Sequence, residues 1–255
     1  MQVEGRVALV TGSTGRGMGR SIALTLAREG ADVALNFETR PERAQRVKAQ
    51  IEAMGRTAAI RQADVASEDG ARALFDCAVS ELGKVDILVL SAGGTWQERD
   101  IVDAPPEHWQ RVLAEELHAP LFLVPLALPG MRERGWGRII ITGGLDADDW
   151  REGWPLDYPL GKASRHWLVR SLARQEFRHG ITVNGIAPGE TPYVELDDAL
   201  ADLGHESSWR QRLAPRPQDA GEVVAFLCSD AARFVSGTVI NIVSPASKGW
   251  ARAPE

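Results

Sequence analysis

The segment that most constrains this chain lies near its start. Arg6–Thr11 is a short apolar run, the turn Thr11-Gly12-Ser13-Thr14-Gly15-Arg16-Gly17-Met18-Gly19 follows at once, and Arg20 to Glu29 has the apolar spacing of an amphipathic helix. Glycines permit positive φ and leave no Cβ in the way, so an anion can reach the backbone amides and the positive end of the helix dipole. A dinucleotide pyrophosphate is the natural occupant, with Gly12, Thr14, Arg16, Gly17, Met18 and Gly19 around it. A tight turn without a ligand is the bland alternative, and the strand-to-helix context argues against it.

The rest of the chain repeats this alternation. Strands are expected at Arg6–Thr11, Asp32–Phe37, Thr57–Gln62, Val85–Ser91, Gly137–Thr142, Ile181–Ile186 and Thr238–Val243, with helical stretches near 19–29, 41–54, 68–82, 106–132, 157–179 and 218–228. Apolar runs alternating with helices predict an α/β fold, one doubly wound parallel sheet of about seven strands with helices on both faces. At 255 residues a single domain spanning 1–255 accommodates the pattern. The polar, proline-bearing stretch 189–217 lacks sustained periodicity and reads as a substrate lid.

Composition narrows the partners. The net charge is −6 with acids and bases interspersed, so no basic face invites nucleic acid. The first residues reach the glycine turn too soon for a signal peptide, and no apolar run approaches membrane-spanning length, so a cytoplasmic location without membrane association is expected. Cys77 and Cys228 read as buried thiols, and the five histidines show no ligand spacing, so no metal is expected.

The end of the second strand bears on which dinucleotide binds. An acid there accepts from the ribose 2′-hydroxyl of NAD and repels a 2′-phosphate. Here it reads Leu35-Asn36-Phe37-Glu38-Thr39-Arg40. Phe37 stands where the acid is expected, Asn36 beside it, and Arg16 and Arg40 are able to pair with a phosphate, which favours NADP(H). Glu38 is the counter-argument and keeps NAD(H) open.

A second motif is Tyr158-Pro-Leu-Gly-Lys162. With two tyrosines and four lysines in 255 residues, a Tyr-x-x-x-Lys spacing arises by chance about 0.03 times. Residues four apart share a helix face, so Lys162 sits beside Tyr158. A phenol titrates near ~10, too high for a base at neutral pH, and a neighbouring ammonium lowers it. With the glycine turn, Asp64-Val65 after strand three, Ser91-Ala92-Gly93 after strand four and Asn184-Gly-Ile-Ala-Pro188-Gly189 after strand six, the chain resembles the short-chain dehydrogenase/reductase family almost end to end. The resemblance implies that Asp64, Val65, Ala92, Gly93, Pro188, Gly189 and Thr191 contact the cofactor. It also implies that Tyr158 is the acid/base, and that Lys162 orients the nicotinamide ribose and tunes Tyr158.

The chain departs from that family in two places. The usual serine after strand five is missing: the strand exits as Thr142-Gly143-Gly144-Leu145, and no serine occurs between Ser91 and Ser164. Gly144 or Leu145 holds its place, and Thr142 offers the one hydroxyl at the strand end. Glu116 stands where the family has an asparagine beside the lysine. A carboxylate there offsets the lysine's field at Tyr158, which implies a high pH optimum for oxidation. Trp96, Trp150 and Trp154 are candidate walls of a flat, apolar substrate pocket. By resemblance the chain reads as an NADP(H)-preferring enzyme acting on a small-molecule ketone or secondary alcohol. Reduction of an activated C=C bond, or a catalytically weak cofactor-binding sensor or assembly partner, are the alternatives. A homodimer or homotetramer through 106–132 and 157–179 completes the expectation.

Overall fold

The computed structural model describes residues 1–94, 97, 100–144, 155–189, 191–204, 212 and 214–243. Seven strands form one sheet: β1 Val7–Val10, β2 Asp32–Phe37, β3 Ala58–Gln62, β4 Ile87–Leu90, β5 Gly137–Thr142, β6 Ile181–Pro188 and β7 Val239–Ile242. Their order is β3-β2-β1-β4-β5-β6-β7, and every pairing is parallel. The helices are α1 Met18–Arg28, α2 Pro41–Ala53, α3 Glu68–Leu82, α4 Pro106–Arg134, α5 Asp157–Glu176, α6 Leu196–Leu203 and α7 Pro217–Cys228.

Strands such as Ile87-Leu-Val-Leu90 and Gly137-Arg-Ile-Ile-Ile-Thr142 are buried along their whole length, as a sheet covered on both faces requires. One core lies between the sheet and Ile22, Leu24, Val47, Ile51 and Val224 of α1, α2 and α7. The other holds Leu74, Leu123, Met131, Val169 and Ala173 of α3, α4 and α5. Consecutive connections run to opposite sides of β1, so the switch in strand order falls between β1 and β4, and a crevice opens at their carboxyl ends.

Two local features depart from the sequence reading, and a third, the run of prolines in α4, leaves the helix expected at 106–132 uninterrupted. The stretch taken as aperiodic contains α6, whose Leu196, Ala199 and Leu203 at three- and four-residue spacing are buried in the first core. Two turns of helix are too short for the pattern to stand out among prolines. Helix α4 continues through Pro120, Pro125 and Pro129, with Pro120 itself buried, so packing against the sheet overrides the local penalty. By length and mean hydropathy α4 also passes as a membrane span, against the sequence expectation. Its Leu123, Ala127 and Met131 are instead spent on the second core.

Candidate active site

The glycine turn leaves β1 at Thr11, whose hydroxyl accepts from the backbone N–H groups of Ser91 and Ala92 and so fixes the ends of β1 and β4 together. Gly12 has φ +62, and a Cβ there would press on Ala92. Asn36 holds the turn from β2: its side-chain oxygen accepts from the Gly12 N–H at 3.1 Å, and its amide donates to the Ala63 carbonyl at 3.0 Å. Gly17 caps α1 without a side-chain hydrogen bond, and no acid sits in the first turn. The first amides and the dipole of an eleven-residue helix therefore face the crevice uncompensated. That cradle fits a pyrophosphate.

The crevice has two adjoining cavities that share Gly12 and Gly93. One, of about 430 Å³, is walled by Asn36, Glu38, Asp64, Val65, Arg111 and Glu115 among others. The second, of about 270 Å³, brings Gly17, Met18 and Gly19 of the turn against Thr142, Tyr158, Lys162, Pro188, Gly189 and Thr191. A side chain at position 93 would fall 3.0 Å from Lys162 Nζ and 2.8 Å from Glu116 Oε1, so the passage between the cavities needs glycine there.

Tyr158 and Lys162 lie one turn apart on α5, with the ammonium 5.0 Å from the phenol ring centre. Burial raises the Tyr158 phenol to about 12, and the Glu116 charge pushes the same way while Arg165 opposes it. Burial also lowers Lys162 to about 8, assisted by Arg165 and resisted by Glu116. Glu116 is fully buried, with Oε2 2.9 Å from Lys162 Nζ and 2.8 Å from Arg165 Nε, while Oε1 accepts from the Gly94 N–H at 2.8 Å. Glu116, which stands where the family has an asparagine, therefore lies beside Lys162. Ahead of Tyr158, Asp157 Oδ1 accepts from the Tyr158 N–H, and Oδ2 lies 2.5 Å from His108 Nε2 on α4.

Thr142 is buried at the end of β5 on the wall that Tyr158 shares, and its hydroxyl has no hydrogen-bond partner among the described residues. Gly144 packs on the stem of Lys162: an added Cβ would meet Lys162 Cγ at 2.9 Å. A serine at this position does not fit without displacing that stem.

The crevice therefore gathers most of the expected residues: Gly12, Gly17, Met18, Gly19, Asn36, Asp64, Val65, Ala92, Gly93, Thr142, Tyr158, Lys162, Pro188, Gly189 and Thr191. Thr14, Phe37, Arg16 and Arg40 are not among its walls. Thr14 and Phe37 are buried. Arg16 pairs with Glu195 at 3.1 Å and lies over the Tyr193 ring. Arg40 is exposed, in the left-handed conformation (φ +66) ahead of α2. Trp96, Trp150 and Trp154 lie outside the described residues. Sequence reasoning missed Arg111, Glu115 and Tyr193 on the walls, and Arg165 behind them.

A parallel sheet with an anion cradle at its switch point and a Tyr-Lys pair in the adjoining cavity defines a nicotinamide-dependent oxidoreductase of the Rossmann type. Residues 12–243 match the family described as Enoyl-(Acyl carrier protein) reductase. The chain is 35% identical to the 3-oxoacyl-[acyl-carrier-protein] reductase FabG of Staphylococcus aureus, over 92% of this chain and 95% of that one. It is 33% identical to the 7alpha-hydroxysteroid dehydrogenase of Escherichia coli, over 95% and 94%. Among solved structures, 7 alpha-hydroxysteroid dehydrogenase complexed with NADH and 7-oxo glycochenodeoxycholic acid superposes with a TM-score of 0.81 at 31% identity, covering 95% of this chain and 94% of that one. A putative short-chain alcohol dehydrogenase from Sinorhizobium meliloti gives 0.80 at 30%, covering 94% and 95%. The chain belongs to the short-chain dehydrogenase/reductase family.

Proposed function

We propose that this protein interconverts a ketone and a secondary alcohol, with Tyr158 as acid/base and Thr142 in the place of the family's serine. One observation carries the reading: Tyr158 and Lys162 wall the same cavity as the anion-binding turn, with Thr142 beside them at the end of β5. A nicotinamide bound along the crevice supplies or accepts the hydride. With its phenol raised to about 12, Tyr158 is protonated at neutral pH and suited to donate to a carbonyl oxygen. Thr142 donates a second hydrogen bond to that oxygen, satisfying its own buried hydroxyl. Lys162 holds the ribose and favours the phenolate left on Tyr158 after the proton has gone.

For the cofactor, the walls alter the weighing. NADP(H) was expected from Arg16 and Arg40, but neither lines the cavity, whereas Glu38, Asp64 and Glu115 do, against Arg111 alone. A cavity with three acidic residues and one arginine on its walls disfavours a 2′-phosphate, so the reading favours NAD(H). The same reading places the protein in the cytoplasm and has it assemble as a dimer or tetramer through α4 and α5.

The test is turnover. The protein is incubated with NADH or NADPH and three carbonyl classes: 3-oxoacyl thioesters, oxo-steroids and α,β-unsaturated ketones. Consumption of a ketone, lost by roughly 10²–10⁴-fold in Tyr158→Phe with cofactor binding intact, is expected. Consumption of the enone alone would move the assignment to C=C reduction. Cofactor binding without turnover, unchanged in the Phe variant, would make the chain a sensor or assembly partner.

A further inference from the structure

Arg165 is fully buried, and so is the Glu116 carboxylate it meets. Its Nε also donates to the Glu116 carbonyl at 2.7 Å, Nη1 to the Thr142 carbonyl at 2.8 Å and Nη2 to the Ala92 carbonyl at 2.6 Å. One guanidinium on α5 thus ties together the carboxyl ends of β4 and β5, which wall the Tyr158 cavity, and the α4 turn that carries Glu116 behind it. A buried cation that spends every nitrogen on the frame of a catalytic cleft is an expensive way to stabilise a fold, since apolar packing does as well.

The charges explain the choice. With Glu116 and Lys162 alone, the carboxylate cancels the ammonium and Tyr158 faces a neutral pair. With Glu116, Lys162 and Arg165 together, one net positive charge remains beside the phenol. We propose that Arg165 is a positioning residue that pins Glu116 and neutralises it, so that Lys162 keeps its ammonium in place without losing its field at Tyr158. The charged groups that bear on Lys162 are Arg165 and Glu116, the Tyr158 ring centre lies 5.0 Å from its ammonium, and Tyr193 acts on the phenol from across the cleft. Besides Lys162 itself, Arg165 is the cation that meets the Glu116 carboxylate among the described residues. The inference rests on the Tyr158-Lys162 reading of the site, but its test does not depend on turnover.

The chain has four lysines, so ¹³Cε-lysine labelling gives few signals, and the resonance missing from Lys162→Arg identifies Lys162. Its titration is followed by NMR in the full chain, in Arg165→Met, in Glu116→Gln and in the double variant, with circular dichroism confirming each fold. The wild-type midpoint is expected near 8. Removing Arg165 should raise it, and removing the Glu116 charge should lower it, each by roughly 1–3 pH units. The double variant should return close to wild type. Should Arg165→Met fail to fold, Arg165→Lys keeps the charge and drops the carbonyl clamps, so its midpoint should stay near wild type while NADH affinity falls. A midpoint that does not move in folded Arg165→Met, or in Glu116→Gln, overturns the proposal. A failure of all substrates to turn over would sink the proposed reaction and leave this result standing.

Discussion

At the residue scale, the two titrating groups of the site set opposite pH demands. Lys162 is an ammonium below about 8 and loses its charge above it, while Tyr158 keeps its proton up to about 12 in the free protein. Reduction needs the phenol and the ammonium together, so its rate should hold at neutral pH and fall as pH rises through about 8. Oxidation by the proposed route needs phenolate, whose share keeps growing toward about 12, so its rate should climb from pH 8 upward. A pH profile of kcat/KM in both directions checks this, and a reduction rate that rises between pH 7 and 9, where Lys162 titrates, contradicts it. Stability runs the other way for Lys162. Its folded value lies below the ordinary 10.5, so between about 8 and 10.5 the unfolded chain holds the extra proton and raising the pH favours the fold.

Thr142 gives a sharper test because its two effects have opposite signs. Thr142→Val keeps the shape and deletes a buried hydroxyl without a partner among the described residues. Stability should rise by about 1 kcal/mol, as an unsatisfied group leaves the interior. Turnover should fall roughly 10²-fold if that hydroxyl holds the reacting oxygen. Thermal melts and steady-state rates on the same preparation decide it; a loss of stability with unchanged turnover would make Thr142 an ordinary strand residue. Much of this site was readable in the chain, because Tyr158 and Lys162 carry their chemistry in their spacing. Arg165 was not, since an arginine three residues beyond the lysine looks solvated on a helix. The signal was there in its register: Gly161, Lys162, Arg165, Val169, Ala173 and Glu176 are buried on α5, so Arg165 lies on the face that carries the lysine.

At the scale of elements, the strand-turn-helix at the start of the chain was legible because glycine spacing, apolar run and helical period all agree there. The end of β2 was not, because a one-residue difference decides which side chain meets the ribose. Phe37 turns into the protein, and Glu38 reaches the cavity wall with its backbone carbonyl accepting from Gln62 Nε2 at 2.8 Å. Glu38→Ser should therefore weaken NADH and strengthen NADPH, shifting their affinity ratio about tenfold, the effect of roughly 1.4 kcal/mol. Fluorescence titration with both reduced cofactors measures it. The Arg16–Glu195 pair is exposed and worth little, so Arg16 remains able to turn toward a phosphate. A wild-type protein that binds NADPH tighter than NADH, and loses that preference in Arg16→Ala, would return the assignment to NADP(H). Helix α6 belongs to this scale too. Its apolar face packs on the first core, while Val194 donates its N–H to the Arg16 carbonyl, so the segment over the cleft is stitched to the turn beneath it.

For the whole molecule, the sheet order followed from the alternation of strands and helices, but the proposed assembly would rest on surfaces that periodicity does not separate from core. On the outward side of the α4–α5 pair, Trp167 is 66% exposed, Leu160 51% and Leu121 52%. Leu160 and Trp167 are seven residues apart, two turns along one face of α5, beside the outer face of α4. A free-standing chain gains little by leaving an indole and two leucines in water, whereas a second copy burying them would gain about 25 cal/mol per Å² of apolar surface. Because α4 and α5 also carry Glu116, Lys162 and Arg165 on their inner faces, an interface on the outer faces would hold the catalytic frame from behind. Light scattering of the wild type should give the mass of a dimer or larger assembly. Trp167→Glu should shift it to monomer at micromolar concentration, with unchanged circular dichroism, because the side chain lies mostly outside the core. The monomer should also bind cofactor more weakly and melt at a temperature no longer dependent on concentration. A Trp167→Glu protein with wild-type mass would rule out this face and leave β7, the last strand of the sheet, where Val239 and Ile240 are half-buried, as the next surface to probe.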